Sequence, residues 1–353
     1  MKLQSTLLSE TILAAIEKRK EPVGIMSLAD PSTPLVVEDV LSTGLPNLDR
    51  ILARSKDGRW GLPVGRIVSI KSKPNVGKSS FLLKVALEAY KRGGAVHIVE
   101  SEHALDLDYA RKICAPVKSF LISQPDTLED AFRAIEIAVD MCLLARQKTG
   151  IAAPYLIIMD SFSGFTTQAE SDGDFTTKGK SLGEHARLAA LACRKLTGPI
   201  AKSKAIFLIS HQTKSKLGVF WGNPETNIGG DAFNFHDSIC LSLYRTNAIK
   251  DSKKRIAGHF GLIKTTKNKL FPPHRSVKFK IINGRGFSRN FAVLDFLLER
   301  KYIVRRGGWF KMKADPTLKF QGINEFSQFL KDNKEAKTII LGYLAKPVAL
   351  EEL

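Results

Sequence analysis

Between about residues 41 and 290 the chain alternates short apolar runs with stretches whose apolar positions recur at helical spacing. The runs are Arg66–Lys71, Ala95–Val99, Tyr155–Met159, Ala205–Ser210 and Ile239–Tyr244. Alternation of this kind predicts strands joined by helices, and so an α/β fold with a mostly parallel, twisted sheet. Ahead of it, Leu8, Ile12 and Ile16 recur at a helical interval with Leu13 beside them, the stripe of a short amphipathic helix over 6–19. Residues 20–40 are rich in Pro, Ser and Asp and read as a linker. Such a stripe needs a partner surface, on this protomer or on a neighbouring one. Beyond about 291, Phe291–Leu298 and Ile323–Leu330 carry helical patterns around a Gly-rich turn, Arg306–Trp309, which predicts a small α/β C-terminal domain. The expected division is 1–40 for an oligomerising helix and linker, 41–290 for the core and 291–353 for the appendage.

Composition adds bounds. Hydrophobic residues at 44% and charged residues at 25% suit a folded globular chain of 353 residues and exclude a wholly disordered one. The longest apolar stretch, Ala134–Ala145, is broken by Glu136 and Asp140, short of the roughly 18 apolar residues that a membrane span takes. No signal-peptide pattern opens the sequence. Cys114, Cys142, Cys193 and Cys240 form no CxxC and pair with no histidine, which argues against a zinc site or a disulfide framework. They are expected in the core of a protein kept in a reducing, cytoplasmic compartment. Charge changes the picture more. With 54 Lys plus Arg against 35 Asp plus Glu, the net charge is +19, and between Asp251 and Asp295 eleven basic residues occur with no acid among them. Clustering of that kind points to a polyanionic partner, nucleic acid above all, rather than to a merely solubilising surface.

The run Arg66–Lys71 leads directly into Ser72-Lys73-Pro74-Asn75-Val76-Gly77-Lys78-Ser79-Ser80, and Phe81-Leu82-Leu83 opens an apolar helix. Strand, loop and helix in this order form a P-loop: backbone N–H groups cradle phosphates, Lys78 reaches the β- and γ-phosphates of ATP, and the Ser79 hydroxyl ligates Mg²⁺. Ser72 stands where the pattern has its first glycine, which requires a backbone there without strongly positive φ. Asp160 closes the run Tyr155–Met159, the position of a carboxylate that coordinates the Mg²⁺ shell. Glu100-Ser101-Glu102 follow Ala95–Val99 on the same edge, where one carboxylate can orient the attacking water.

At Glu102-His103-Ala104-Leu105-Asp106, Tyr109-Ala110-Arg111-Lys112 and Ser123-Gln124-Pro125-Asp126-Thr127, the chain resembles the RecA family of strand-exchange recombinases. Matches in the same order include Ser42-Thr43-Gly44, Gly61-Leu62-Pro63, Gly222-Asn223-Pro224-Glu225-Thr226 with Gly229-Gly230, Lys267-Asn268-Lys269 and Gly308-Trp309-Phe310, so the resemblance spans about 41–350. It implies a DNA-dependent ATPase with a RecA-like P-loop core, forming a helical filament of identical subunits on single-stranded DNA and pairing it with double-stranded DNA. Glu102 is then the general base, Asp106 and Tyr109 hold adenine, and Gln212 senses the γ-phosphate. A neutral amide can bond a phosphate without titrating. The second DNA loop, from about Thr213, offers Lys214 and Lys216 for phosphates and Gly218, Val219, Phe220 and Trp221 for bases, closing at Gly229 and Gly230. The first lies at about Glu170–Leu182, longer than the family's usual loop. After it, Arg187 and Arg194 share a helix face towards the DNA backbone. Lys267 and Lys269, alternating on a strand, point to one face and reach a neighbour's ATP.

Two positions depart from the family: Ser72, and Asn283 where an aromatic residue is common. With the divergence of the whole sequence they point to a bacteriophage-encoded member. They are also the only support for an alternative, a recombination mediator with weak ATPase; a hexameric helicase of related core is a third reading, disfavoured by both DNA loops. Near the end, Arg300, Lys301, Arg305, Arg306, Lys311, Lys313 and Lys319 meet few acids before the closing Glu351-Glu352-Leu353, which predicts a duplex-binding surface with little acidic competition.

Overall fold

The computed structural model describes residues 36–103, 105–113, 117–173, 183–215, 225–227 and 232–345, with residue 14. The expected helix at 6–19 therefore lies outside the described residues apart from Ala14, as do most of the two expected DNA loops and the closing acidic residues.

A small antiparallel sheet comes first, with β1 (Val40–Leu41), β2 (Ala53–Arg54) and β3 (Trp60–Pro63) in the order β1-β3-β2. The main sheet contains β4 (Ile67–Ser72), β5 (Ala95–Glu100), β6 (Phe120–Ser123), β7 (Tyr155–Asp160) and β8 (Ala205–Ser215). It also contains β9 (Glu225–Asn227), β10 (Ile239–Lys250), β11 (Ile256–Asn268), β12 (Ser276–Ile282) and β13 (Gly286–Phe287). Its order is β13-β12-β11-β10-β4-β8-β7-β5-β6, with β9 on β8. From β10 to β6 every neighbour is parallel, whereas β11, β12 and β13 form an antiparallel extension.

Each of the five apolar runs is a strand in the parallel part, and its successive residues serve opposite faces. Val68, Ile70, Ile98, Leu156, Ile158 and Leu208 join helix Lys78–Lys91 in one buried cluster. Ile67, Val99, Ile157, Met159, Phe207 and Ile209 join helices Leu128–Thr149 and Glu184–Ser203 in another. A strand covered on both faces is apolar at most positions, which is why these runs show little alternation; exceptions such as Ser69, His97 and Ser210 are buried polar residues. Helix Leu128–Thr149 is set by Thr127, whose hydroxyl accepts from the Asp130 backbone, a cap worth about 1 kcal/mol.

β8 and β10 run further than their apolar stretches. Past Leu243, β10 pairs only with β11, and past Gln212, β8 pairs only with β9. There β10 is the edge of a three-stranded β10-β11-β12 layer, and its residues from Arg245 to Ala248 are exposed. Cys193 and Cys240 are buried, as expected, but Cys142 is only half-buried.

The C-terminal region has its own antiparallel sheet, β14 (Ile303–Arg306), β15 (Trp309–Met312) and β16 (Lys319–Gln321), packed on helices Arg289–Glu299, Phe326–Asp332 and Lys334–Ala345. The expected turn Arg306–Trp309 is the β14–β15 hairpin. The helix expected from Ile323 begins instead at Phe326, because Gly322 at φ 78° turns the chain just before it.

Candidate functional site

The C-terminal ends of β4, β5, β7 and β8 form one edge, and the helix that follows β4 points its N-terminus into it. Ser72 closes β4 without positive φ, so serine replaces glycine there without backbone strain. Gly77 does need its freedom: φ is 112°, and a Cβ would lie 2.4 Å from Ile281 Cδ1 of β12. Val76 is buried, and its carbonyl lies 3.1 Å from His259 Nε2 of β11, so the loop's floor comes from the antiparallel extension. Lys73, Pro74, Asn75 and Ser79 remain exposed, with Asn75 left-handed at φ 59°.

Lys78 opens the helix and bends back, donating to Ser72 Oγ at 3.3 Å. Burial pulls its pKa below the usual lysine value, while the charges of Asp160 and Glu102 oppose that shift. Both carboxylates therefore lie near enough to act on this ammonium. Asp160 Oδ1 accepts from the Ser210 hydroxyl at 2.6 Å. Glu102 is exposed, and its Oε1 accepts from Gln212 Nε2 at 3.0 Å and from Ser161 Oγ at 3.2 Å. Glu100 is buried and acts as a bracket, with Oε1 accepting from the Glu102 backbone at 3.0 Å and Oε2 from Gln124 Nε2 at 2.8 Å. Two adjacent strand ends thus present Asp160, held by Ser210, and the exposed Glu102, held by Gln212 and Ser161.

Other expected residues fall differently. Asp106 spends Oδ1 on the backbone N–H groups of Asp108 and Tyr109 at the start of helix Leu107–Ile113. The Tyr109 hydroxyl meets that of buried Ser80, which ties this helix to the one behind the phosphate loop. Arg187 and Arg194 are both exposed on helix Glu184–Ser203, but Arg187 is ion-paired with Glu184. The first expected DNA loop starts later than sequence suggests, since Gln168–Ser171 is a helical turn closed by a Thr167–Glu170 capping box. Lys214 lies on β8 with only its backbone described; Lys216, Gly218, Val219, Phe220, Trp221, Gly229 and Gly230 lie outside the described residues. Lys267 and Lys269 do share a face, both ammoniums reaching helix Ala232–His236, and Asn283 is exposed and bonds the Ile256 carbonyl at 3.2 Å.

Sequence reasoning missed Ser161, Ser210, Lys71 and Asp237 as partners of the site. Lys71 ends in a hydrogen bond to Asn234 Oδ1, and Asp237 in an ion pair with Lys267 at 2.8 Å. Only the strand order brings these groups together, with β4 between β8 and β10.

A glycine-lysine loop at a strand-to-helix turn, an acid closing a nearby strand and an exposed glutamate beside them define a P-loop ATPase of the RecA type. Comparison with known proteins agrees. The model of the RecA N-terminal domain matches residues 7–288. Protein RecA of Acidiphilium cryptum is 38% identical over 331 residues, 94% of this chain and 90% of that protein. Protein RecA of Gluconobacter oxydans is 36% identical over 333 residues, covering the same 94% and 90%, and that of Ruegeria pomeroyi 36% over 325 residues. The chain belongs to the RecA family, DNA-dependent ATPases of homologous recombination and repair. Among the described residues no helix is long and apolar enough to cross a membrane.

Proposed function

We propose that the chain hydrolyses ATP within a helical filament on single-stranded DNA and uses that filament to pair and exchange strands with a homologous duplex. The observation that carries this reading is the contact of Glu102 with Gln212 beside Lys78. An exposed carboxylate there accepts a proton from water as it attacks, and the amide moves from Glu102 to a phosphate oxygen when one arrives, so occupancy is passed to β8 and the DNA loop that β8 leads into. Lys78 and the backbone of 72–80 bind the phosphates. The Ser79 hydroxyl and the Asp160 carboxylate, both hard oxygen donors, suit Mg²⁺, which when bound neutralises phosphate charge. Asp106 and Tyr109 border the base, and Lys267 and Lys269 supply positive charge to the nucleotide of the next subunit.

The chain is read as three parts: 1–40 for assembly, 41–290 for catalysis and DNA, 291–353 for duplex capture. In the last part Arg306, Trp309, Lys311 and Lys319 lie on the outer face of the β14–β16 sheet, with Lys319 Nζ 5.4 Å from the Trp309 ring centre. Such a basic face suits duplex phosphates. A cytoplasmic setting, that of a host if a phage encodes the chain, goes with this role. Electron microscopy with ATP and single-stranded DNA tests the whole. Helical filaments are expected; closed rings would favour a helicase, and no assembly would favour the mediator reading.

A further inference from the structure

Asp237 is fully buried, yet it is an acid that the nucleotide site does not use. It directly follows helix Ala232–His236, which leads out of the second expected DNA loop. Its Oδ1 accepts from the Lys267 ammonium at 2.8 Å, and the same ammonium donates to the Asn234 carbonyl. Lys269 donates to the Phe235 carbonyl at 2.8 Å, and Lys71 of β4 reaches Asn234 Oδ1. Three lysines converge on one short helix. The only ion pair they make among the described residues is Lys267 with Asp237.

The balance of charge makes this pair hard to break. Burial, then the adjacent Lys267 charge, push the Lys269 pKa down, so the two ammoniums already crowd each other. Asp237 Oδ2 has no hydrogen-bond partner among the described residues, so departure of Lys267 would leave a fully buried carboxylate without its ion pair, with only the more exposed Lys269 charge nearby. Leaving a buried charge uncompensated costs far more than losing a surface pair. Lys267 therefore swings outward only towards a stronger anion than the one that holds it. A triphosphate on a neighbouring subunit is such an anion.

We propose that Asp237 is the positioning residue for Lys267, holding its ammonium against helix Ala232–His236 and releasing it only to a neighbour that carries nucleotide. The proposal rests on the reading of Lys267 as a residue acting on the next subunit. The Lys267 ammonium exchanges one anion for another. The Asn234 carbonyl that shares the ammonium belongs to helix Ala232–His236, so a shift of that helix weakens the hold. Dependence of hydrolysis on DNA then has a physical lock, and the acid is its bolt.

The test measures ATP turnover by the full chain with and without single-stranded DNA. Asp237→Asn keeps the shape and removes the charge, so turnover without DNA should rise by about tenfold, equivalent to ~1.4 kcal/mol of lost restraint. Turnover at saturating DNA should stay close to that of the parent. Asp237→Glu should restore the DNA requirement, and adding Lys267→Met to Asp237→Asn should abolish the gain. An unchanged or lower DNA-free rate in Asp237→Asn, or a gain that survives Lys267→Met, overturns the proposal. Should Asp237→Asn not fold, Asp237→Ser carries the same expectations. The parent protein gives a further check: without nucleotide, Lys267 should react with an acylating reagent about tenfold more slowly than exposed Lys301, as a held ammonium does. Equal rates would mean that nothing holds it.

The reading beneath has a separate control. A Lys267→Ala, Lys269→Ala double variant mixed with Glu102→Gln should recover turnover at mixed interfaces. No recovery sinks action on the neighbour itself; recovery together with a parental DNA-free rate in Asp237→Asn sinks only the role of Asp237.

Discussion

At the scale of single residues, Glu102 and Lys78 are separable. Glu102 contacts Gln212 and Ser161 from an exposed position and carries no packing load, whereas Lys78 is the binding charge of the proposed function. Glu102→Gln should bind nucleotide as the parent does and lose turnover by about 10²-fold or more, the usual loss for a general base. Lys78→Ala should weaken binding as well. Filter binding and phosphate release measured on the same preparations distinguish them, and parental turnover in Glu102→Gln would remove that residue from the chemistry. His211, next to Gln212, bears on stability instead. Its ring lies against Phe162 and Phe233 at 5.4 and 5.3 Å, and neither ring nitrogen has a hydrogen-bond partner among the described residues. Burial, followed by the charges of Lys71 and Lys78, pushes its pKa from 6.5 down to about 3. Between those values the unfolded chain binds the proton and the folded chain refuses it, so stability is full above pH 6.5 and falls as pH drops towards 3. His211→Leu should flatten the fall of Tm over that window. An unaltered profile would assign the acid sensitivity to other groups.

Elements differ in how far the sequence announces them. β4, β5, β7, β8 and β10 were legible because two-sided burial leaves unbroken apolar runs, and the phosphate loop because its parts are contiguous. The Glu102–Gln212 contact spans 110 positions and could be placed only by a resemblance. The Lys71–Asn234 and Lys267–Asp237 contacts had no such guide, since each depends on which strand lies beside β4 and on a short helix of weak pattern. Arg305 and Arg306, neighbours in one basic run of the sequence, lie on opposite faces of β14. The phosphate loop itself depends on one glycine. Gly77→Ala would force φ 112° on an L-residue and drive its Cβ into Ile281, so nucleotide affinity should fall by about tenfold for each ~1.4 kcal/mol of strain. A fluorescent nucleotide titration reads this. Unchanged affinity would show that the loop can relax away from β12.

For the molecule as a whole, charge and attachment act together. Arg306 lies on the outer basic face, while Arg305 lies over Phe310 at 5.6 Å and donates to the Gly307 carbonyl at 3.0 Å. Arg306→Ala should therefore flatten the dependence of log duplex affinity on log salt by about 0.9, and Arg305→Ala by much less. Equal slopes in both variants would place the duplex elsewhere. The surface that carries Arg306 is also fastened. Arg50, at the end of helix Pro46–Asp49, donates to the Leu344 carbonyl at 2.9 Å and lies over Phe296 at 5.5 Å and Trp60 at 5.8 Å. Asn47 donates to Asp295 Oδ2 and the Lys278 carbonyl, both at 2.9 Å. In mechanical terms this makes the β14–β16 sheet a fixed jaw rather than a hinged arm. Under the proposed function, a duplex gripped there would have no independent travel, and its angle to the strand it is compared with would be dictated by how far one subunit is screwed round from the next.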